Sequence, residues 1–574
     1  MSRINAMNPT DSLRPWLDLY DVGVPVTMTP RGDTIVSGFR EAMRSDPQHV
    51  VIRYFDWSMT MRELDQASDG LAAALQDKDF VHGDRLAVYL QNVPQFVMAS
   101  LAAWKLGGIV VTVNPMYQAR ELHEVLSDSG AKVLVCHAGD RLGMALETAH
   151  RAGVERVLAC DARAYQTRDD ARAFVTFDST TLATAKGVQG VDGAALVLEC
   201  FEALVTASLT RTPANHKAPI SSDVATLIYT SGTTGPAKGV VSTHANVAQS
   251  VELYRQWMPL GRNDVILAIA PLVHVTGMLA YLATALWIPA TLVLTHRFEV
   301  SLFCDMVRET GATFTIGPTT VFVALLESPD VSPDDLKSLT KVYSGGAPVP
   351  ASIVDRFHAK FGFQVLGIYG MTEATGPTHM APREHNAPVD QVSGALAVGI
   401  PISQTDVLVL DDAHQPVACR AYGELAISGP QVATRYWNKP EESSASFTTK
   451  GFLTGDIGFM DEQGWFYIVD RKKDQINVSG FKVWPREVED TLYGHPAVAE
   501  CAVVGMPHSY RGEEVCAFIV RRSGQPVSED EIRDFCTQQL ARFKVPGIVK
   551  FVSALPRTVS GKVLRRLLRD GTSA

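Results

Sequence analysis

A strand, a turn rich in glycine and hydroxyl groups, and a helix start follow one another between residues 225 and 246. The apolar run Ala225–Tyr229 predicts a short buried strand, and Ser242–Asn246 is typical of a helix start. The turn between them contains Ser231, Gly232, Thr233, Thr234, Gly235 and Lys238. Glycines let consecutive backbone N–H groups point at one place, so the turn predicts an oxyanion cradle suited to phosphate. It is not a Walker A loop, because Gly239 follows the lysine where that motif needs Ser or Thr.

Alternating strands and helices fill most of the first 370 residues and predict parallel sheets with helices on both faces. Before the turn, helices are predicted at Met61–Leu75 and Pro94–Lys105, and buried strands at 85–90, 109–113 and 132–136. After the turn, strands are predicted at 265–271, 290–294, 314–316, 341–344 and 363–369. The periodicity weakens between Asp161 and Ser222, where no assignment follows and no chemistry is visible.

Two changes of pattern divide the rest of the chain. From Ile400 to Phe466, short β runs separated by Gly, Pro and Asp predict a small barrel or sandwich. The charge run Asp470–Asp474 suits an exposed hinge, and helices are predicted beyond it at Pro485–Tyr493 and Glu529–Leu540. We therefore expect a large domain over residues 1–470, a hinge over 471–474 and a small domain over 475–574.

Size and composition narrow the class of protein. A chain of 574 residues is too long to fold around a single hydrophobic core, so two or more domains are expected. A net charge of −10 argues against sequence-independent nucleic-acid binding. The eight cysteines are scattered without a Cys-x-x-Cys pair, which is typical of a reducing cytosol, so a cytoplasmic protein is expected. The apolar run Thr276–Leu294 is divided by Pro289 and predicts a helix followed by a buried strand, not a transmembrane segment.

Further motifs follow predicted strands or lie near the C-terminus. Tyr369–Thr375 places a hydroxyl beside a carboxylate, a pair that can bind a phosphate together with a divalent metal. Taken alone, the same residues are equally a helix N-cap with an acidic first turn. Tyr343–Pro348 is a glycine-rich strand exit, and Gly451–Asp456 ends on a turn aspartate. Val478–Glu489 contains a helix start, and Leu555–Arg566 is a basic segment with a glycine turn.

In this order and spacing, the motifs resemble those of the adenylate-forming enzymes, which include acyl-CoA synthetases, luciferases and the adenylation domains of peptide synthetases. The likeness extends from Tyr229 to Lys562 and is greatest for medium- and long-chain fatty-acid–CoA ligases, which Asn114–Leu122 and Gly480–Glu489 also resemble. It implies an α/β fold with a large N-terminal domain of two doubly wound sheets plus a small β-barrel. A mobile small α+β C-terminal domain would follow, and ATP, Mg²⁺ and coenzyme A would be bound.

The resemblance also assigns roles to single residues. The implied nucleotide contacts are Thr230, Ser231, Gly232, Thr233, Thr234, Lys238, Gly345, Gly346, Ala347, Tyr369, Gly370, Met371, Thr372, Asp456, Arg471 and Lys562. Within that set, Tyr369 would stack on adenine and Thr372 would hold the α-phosphate. Asp456 and Arg471 would contact the ribose. The implied catalytic residues are Lys562, Thr372, Glu373 and Lys238, and the implied magnesium ligands are Glu373 and Thr234.

The remaining roles concern the hinge, coenzyme A and the acid. The resemblance places the hinge at Lys473 and coenzyme A at Ser479, Gly480 and Lys482. It places the acyl pocket at His274, Thr276, Gly277, Met278 and Thr319. The stretches Pro271–Tyr281 and Gly317–Phe322 contain no carboxylate, Lys or Arg, so a hydrophobic or aromatic acid fits better than an amino acid. His274 either lines this pocket or fills the core.

The predicted function is ATP-dependent ligation of a fatty acid to coenzyme A through an acyl-adenylate. The C-terminal domain would rotate between the two half-reactions. Alternatives are a ligase for aryl or alicyclic acids such as coumarate or benzoate, a freestanding peptide-synthetase adenylation domain, and an inactive nucleotide-binding scaffold. No nucleic-acid partner is expected. Chain length, a homodimeric state and peripheral membrane contact stay open.

Overall fold

The structure is a computed structural model that describes residues 14–174, 196–214, 216–230, 237–347, 349–472, 474–479, 481–508, 510–558 and 561–569. In chain order, the strands of these residues are β1 (Val50–Tyr54), β2 (Trp57–Thr60), β3 (Arg85–Tyr89), β4 (Ile109–Thr112), β5 (Val133–His137), β6 (Arg156–Cys160), β7 (Val197–Cys200), β8 (Val224–Thr230), β9 (Lys238–Thr243), β10 (Val265–Leu267), β11 (Thr291–Leu294), β12 (Phe314–Gly317), β13 (Lys341–Ser344), β14 (Leu366–Met371), β15 (Gly376–Met380), β16 (Ile400–Pro401), β17 (Asp406–Leu410), β18 (Gly423–Ser428), β19 (Phe447–Thr448), β20 (Gly451–Met460), β21 (Phe466–Arg471), β22 (Ile476–Val478), β23 (Phe481–Val483), β24 (Val498–His508), β25 (Gly512–Arg521) and β26 (Ile548–Phe551).

The helices alternate with these strands over most of the chain. In chain order, the α-helices of the described residues are α1 (Ile35–Ser45), α2 (Met61–Gln76), α3 (Pro94–Lys105), α4 (Ala119–Ser129), α5 (Leu142–Arg151), α6 (Phe201–Ser208), α7 (His244–Trp257), α8 (Thr284–Trp287), α9 (Val300–Thr310), α10 (Thr319–Glu327), α11 (Pro333–Leu336), α12 (Ala351–Phe361), α13 (Pro440–Ser446), α14 (Pro485–Tyr493), α15 (Glu529–Thr537) and α16 (Arg565–Arg569). A π-helix covers Gly277–Ala283, and 3₁₀-helices cover Pro15–Leu19 and Thr372–Ala374.

Two large sheets carry the predicted alternation. One has the strand order β7-β6-β5-β3-β4-β8-β9 and is parallel except for its last pair, and the other has the order β16-β15-β14-β13-β12-β10-β11-β1-β2. The second sheet is parallel from β14 to β1 and antiparallel at both ends. In β3, Leu86 and Val88 belong to one hydrophobic core, and Ala87 and Tyr89 belong to another on the opposite face. Burial on both faces explains the continuous apolar runs of these strands, and the predicted α/β fold is confirmed.

The two segments that flank the predicted phosphate turn form an antiparallel strand pair at the edge of the first sheet. Strand β8 pairs antiparallel with β9, and the last pair joins Thr230 to Lys238. The Thr243 side chain accepts a hydrogen bond from the backbone of Asn246 and so caps α7. The predicted strand and helix start are therefore confirmed, while residues 231–236 of the turn lie outside the described residues.

Within the described residues of the weakly patterned stretch between 161 and 222, the structure contains a strand and a helix that the sequence did not predict. Strand β7 pairs parallel with β6 at the edge of the sheet, and α6 follows it directly. None of the four residues of β7 is fully buried. The apolar residues of β7 continue into those of α6, so the pairing with β6, and not periodicity, distinguishes the strand.

The apolar run Thr276–Leu294, which Pro289 divides, folds as predicted: a helical segment is followed by a strand. The π-helix and α8 precede the buried strand β11. Among the residues that the structure describes, no helix is both long enough and apolar enough to cross a membrane.

Two smaller sheets complete the fold. The small β unit predicted over 400–466 is an antiparallel five-stranded sheet with the order β17-β18-β20-β19, on which β21 pairs with β20. The last sheet, β23-β22-β25-β24 with β26 on β25, packs against α14 and α15 and has hydrophobic clusters of its own. The exact division at residue 470 stays a prediction.

The charge run at the start of the C-terminal region differs from the prediction of an exposed hinge. Asp470 ends β21 and is 5% exposed. Its carboxylate accepts hydrogen bonds from the backbone N–H groups of Arg471 and Arg486. These local donors compensate for the lost hydration, which the alternating charges in the sequence do not reveal. Lys473 lies outside the described residues.

Candidate active site

A buried carboxylate joins two of the predicted nucleotide residues. The Tyr369 hydroxyl donates to Asp456 Oδ2 at 2.7 Å, and Arg471 Nε lies 2.8 Å from Asp456 Oδ1. Asp456 and Arg471 are opposite each other on β20 and β21, and Tyr369 comes from β14. Burial, followed by the charge of Asp456, raises the pKa of Tyr369, and Asp456 raises the pKa of Arg471. The phenol therefore stays protonated and the guanidinium charged, so the group offers both donors and a negative charge.

Two glycines let backbone segments approach each other beside Tyr369. A Cβ atom at Gly345 would lie 2.6 Å from the carbonyl oxygen of Ile368, and one at Gly370 would lie 2.2 Å from that of Gly376. Any side chain at either position would push these segments apart. Buried Thr372 follows at once and begins a 3₁₀ turn, which ends at Thr375 in the left-handed region with φ of 50°.

Glu373 is the middle residue of this turn, and it shares a neighbour, Tyr436, with Lys238. Glu373 Oε1 accepts a hydrogen bond of 2.9 Å from the hydroxyl of Tyr436. The Lys238 ammonium lies 5.0 Å from the centre of the same tyrosine ring, within cation–π range. Sequence reasoning missed Tyr436, which lies between β18 and α13, because the groups that it contacts are remote in the sequence.

Glu373 supplies a carboxylate that is predicted to bind a magnesium ion. Among the described residues, no cluster of three or more His, Cys, Asp or Glu side chains could hold a metal by itself. Mg²⁺ is commonly held by one or two carboxylates together with substrate phosphates. A single carboxylate beside a lysine fits that shared arrangement. Thr234, the other predicted ligand, lies outside the described residues.

The predicted acyl-pocket residues lie around the π-helix. His274 is half-buried, and loss of hydration, with a smaller effect of the Lys562 charge, lowers its pKa to about 4. The imidazole is therefore neutral at pH 7. Gly277 is required for packing, because a Cβ atom there would lie 2.0 Å from the carbonyl oxygen of Pro271. Met278 is completely buried, and Thr319 begins α10.

The C-terminal lysine turn packs against the same region. A Cβ atom at Gly561 would lie 3.0 Å from Thr320 Oγ1 and 3.1 Å from Pro318 Cβ, so the turn touches the start of α10. Arg557 donates to the carbonyl oxygen of Gly561 at 2.7 Å, and Lys562 N donates to Thr558 Oγ1 at 3.1 Å. Lys562 is therefore brought beside the acyl-pocket residues, although its sequence position is far from theirs.

Arg565, a second residue that sequence reasoning missed, connects the segment after the lysine turn to the end of β21. Arg565 donates to both carboxylate oxygens of Glu489 at 2.8 Å and to Asp470 at 3.3 Å. Burial raises the pKa of Asp470 to about 6, although the charge of Arg565 acts in the opposite direction. A basic tail in sequence is thus partly an interior ion-pair cluster.

The predicted coenzyme A residues lie apart from this group. Ser479 follows β22 in the left-handed region with φ of 52°, is exposed, and donates its backbone N–H to Arg511 at 2.8 Å. Lys482 lies in β23, and Gly480 is outside the described residues. Tyr369 and Asp456 bond to each other, and the backbone of Ser479 bonds to that of Arg511. The structure therefore groups the nucleotide, acyl and lysine residues without the coenzyme A residues.

Comparison with known families gives two matches along this chain. Residues 39–437 match the model of the AMP-binding enzyme family. Residues 487–562 match the model of the AMP-binding enzyme C-terminal domain. The first match covers more than half of the chain.

Individual relatives are similar over nearly the whole length. The long-chain-fatty-acid–CoA ligase of Bacillus subtilis (strain 168) is 31% identical over 573 residues, covering 97% of this chain and 98% of the relative. The 4-coumarate–CoA ligase 3 of Oryza sativa subsp. japonica is 33% identical, covering 90% of this chain and 88% of the relative. The crystal structure of ATP-bound MatB from Rhodopseudomonas palustris is similar with a TM-score of 0.79 and 26% identity, covering 94% of this chain and 98% of that one.

Proposed function

This chain belongs to the AMP-binding enzyme family, and we propose that it is an AMP-forming fatty-acid–CoA ligase. In the first step, a carboxylate oxygen of the acid attacks the α-phosphorus of ATP, and the bond to pyrophosphate breaks. In the second step, the sulfur of coenzyme A attacks the acyl carbon, and the bond to AMP breaks as the thiol proton leaves. The products are acyl-CoA, AMP and pyrophosphate.

One observation carries this proposal: the Lys562 turn lies against α10 and near His274. Gly561 packs on Pro318 and Thr320, and the Lys562 charge contributes to the lowered pKa of His274. The ammonium is thus beside the region proposed for the acid, on a chain whose nucleotide residues are also assembled. A cation at this point can offset the negative charge that the acid and the α-phosphate bring together.

The first half-reaction requires two anions to meet. Lys238 and Lys562 would supply positive charge, and Thr372 would hold an oxygen of the α-phosphate. Asp456 would accept hydrogen bonds from the ribose hydroxyls in place of the one from Tyr369, whose ring would then lie against adenine. Magnesium bound at Glu373 and the nucleotide phosphates would neutralise phosphate charge.

The second half-reaction would require a different placement of the C-terminal region. Lys562 and Ser479 are both in that region, and the lysine turn touches α10. We therefore assign the present arrangement to adenylate formation. Rotation near residues 471–474 would bring Ser479, Gly480 and Lys482 to the acyl-adenylate.

The relatives support a fatty acid as the substrate, and the side chains near the π-helix are apolar or internally bonded. Met278 and Tyr281 are completely buried, and the Tyr281 hydroxyl pairs with the backbone of Ile316. A second candidate is an aryl acid, because a relative named as a 4-coumarate–CoA ligase is 33% identical. The eight cysteines are all free thiols, which agrees with the proposed cytoplasmic location.

The test is a panel of acids with ATP, Mg²⁺ and coenzyme A. Saturated fatty acids of graded length, coumarate, benzoate and several amino acids are compared by pyrophosphate release and by thioester formation. We expect both products with a fatty acid and neither with amino acids. A preference for coumarate or benzoate would support the second candidate. Pyrophosphate release from no acid at all would contradict the proposal.

A further inference from the structure

Residues 433–438, here called the strap, connect the two halves of the phosphate end of the site. Ala433 N donates to the carbonyl oxygen of Glu373 at 2.9 Å, on one side. On the other side, Trp437 N donates to the carbonyl oxygen of Gly239 at 2.7 Å, and Val240 forms a β-bridge with Tyr436. The strap thus adds backbone pairing between β9 and the turn that carries Glu373, which are far apart in sequence.

The strap is also fixed by its side chains. Tyr436 is 5% exposed and packs with Val240, Ala433 and Phe447, whose ring centre is 5.2 Å from its own. The indole N–H of Trp437 donates to the carbonyl oxygen of Asp128 at 3.1 Å. A tyrosine held in this way loses little further freedom when it positions other groups.

Tyr436 contacts two charged side chains with two different parts of its ring. Its hydroxyl donates to Glu373 Oε1, while the Lys238 ammonium lies near its aromatic face. Burial and the charge of Glu373 raise the pKa of Tyr436, so the phenol remains a donor at neutral pH. No ion pair between Lys238 and a carboxylate is found within the described part of the chain. The tyrosine therefore lies against a cation and an anion that are not paired with each other.

We propose that Tyr436 is a positioning residue for the phosphate end: its hydroxyl orients the Glu373 carboxylate toward Mg²⁺, and its ring holds the Lys238 ammonium for the nucleotide phosphates. This inference rests on the proposed function only in assigning Glu373 to the metal and Lys238 to the phosphates. Tyr436 does not contact the reacting atoms. It acts by fixing the direction of one ligand and one cation before the nucleotide arrives.

The experiment measures nucleotide binding as a function of Mg²⁺, without acid or coenzyme A. Calorimetry with a non-hydrolysable ATP analogue gives the Mg²⁺ concentration for half-maximal binding in the full chain. Tyr436→Phe removes the hydroxyl and keeps the ring, so we expect roughly a ten- to hundredfold higher Mg²⁺ requirement, the size of a lost hydrogen bond to a charged group. Tyr436→Leu also removes the aromatic face and should weaken analogue binding further at saturating Mg²⁺.

A matched control is Tyr467→Phe. Tyr467 is 3% exposed, and its hydroxyl donates to Asp461 Oδ2 at 3.0 Å. This variant loses the same type of buried phenol–carboxylate bond at a different carboxylate. It should leave the Mg²⁺ requirement unchanged, and thermal unfolding of all variants should show whether any loss is a general loss of stability.

A double-mutant cycle tests whether the tyrosine acts through the carboxylate. In Glu373→Gln, the further change Tyr436→Phe should add little to the Mg²⁺ requirement, because the group it orients is already altered. Fully additive effects would overturn the positioning role. A wild-type Mg²⁺ requirement in Tyr436→Phe would also overturn it, even if the chain forms acyl-CoA.

The binding assay separates this inference from the proposed function. If no acid yields pyrophosphate but Tyr436→Phe still raises the Mg²⁺ requirement, the proposed reaction fails and the positioning role stands. If acyl-CoA forms but analogue binding does not depend on Mg²⁺ in the wild-type chain, the positioning role fails and the reaction stands.

Discussion

The nucleotide end of the site and the lysine turn are held in place by different kinds of contact. Asp456 is 4% exposed and binds Tyr369 and Arg471, and the strap adds backbone hydrogen bonds nearby. The lysine turn meets the large sheets through the contact of Gly561 with α10. A nearby charge pair, Arg522 with Glu327 at 3.4 Å, is partly open to solvent. Partly exposed ion pairs contribute little stability, so the two ends differ in how firmly they are fixed.

This difference is what a two-step ligase needs. The nucleotide, present in both steps, can be held by buried and mutually satisfied groups. The lysine, proposed for one step, must leave, and weak contacts make its departure inexpensive in free energy. Three changes of pH or sequence test the contrast.

Acid should affect the two regions in opposite directions, and this is the largest expected effect. Burial lowers the pKa of five histidines in or beside the two large sheets to about 3 or 4. They are His137, His244, His274, His296 and His379. As pH falls below 6.5, the unfolded chain takes up these protons first, so stability is lost between pH 6.5 and 4. Each histidine contributes up to about 1.4 kcal/mol per pH unit.

Two buried carboxyl groups near the C-terminal region change the folding stability in the opposite direction as pH falls. Burial raises the pKa of Asp470 and Asp490 to about 6, so the folded chain takes up these protons first as pH falls, and stability is gained between pH 6 and 4. Hydrogen exchange at pH 6.5 and 5 should show protection lost mainly in the large sheets. Greater loss in β24 and β25 than in β3 and β5 would contradict the assignment.

Lys562→Ala should separate the two half-reactions. We expect the rate of acyl-adenylate formation to fall roughly a hundred- to a thousandfold. This corresponds to a barrier about 3–4 kcal/mol higher, because the variant lacks a cation where negative charge develops. Transfer from a supplied acyl-adenylate to coenzyme A should remain near the wild-type rate. Pyrophosphate release and thioester formation measure the two steps. The control is Lys550→Ala, which removes a lysine from β26 of the C-terminal sheet. Equal loss of both steps in Lys562→Ala would count against a role in one step alone.

Arg522→Ala should give the smallest effect and tests the contact between the regions directly. Arg522 and Arg356 both approach Glu327, at 3.4 Å and 2.7 Å; Arg522 directly follows β25 of the C-terminal sheet, and Arg356 lies in α12. Loss of Arg522 should favour thioester transfer over adenylate formation by less than roughly fivefold, the size of one partly exposed pair. Arg356→Ala should not change this ratio. The same shift in both variants would mean that Glu327 acts within the large region only.

Much of the fold follows from local patterns. Helix Pro94–Lys105 and helix Pro485–Tyr493 have the predicted bounds, because proline at the first turn and apolar periodicity mark them in the sequence. Strands buried on both faces give apolar runs that need no partner to be recognised. Strand β7 was missed because its apolar residues lead almost directly into those of α6, so periodicity does not separate a strand from a helix there.

The candidate site was predicted where charge and glycine stand in a recognisable order. Asp456 and Arg471 were named from their motifs, and the structure places them opposite each other on paired strands. Tyr436 and Arg565 were missed, and Asp470 was expected to be exposed. In each case the decisive neighbours are remote: Glu373 is 63 residues from Tyr436, and Asp470 is 95 residues from Arg565.

The sequence by itself determined the order of strands and helices, the glycine and hydroxyl turn at the edge of β8, and the family to which the motifs point. These properties depend on residues within one turn or one strand of each other, where periodicity and backbone conformation act. Only the tertiary structure decided that a tyrosine lies against both a lysine and a glutamate, and that the lysine turn rests on α10. Such contacts depend on burial and on distances between segments that the sequence separates.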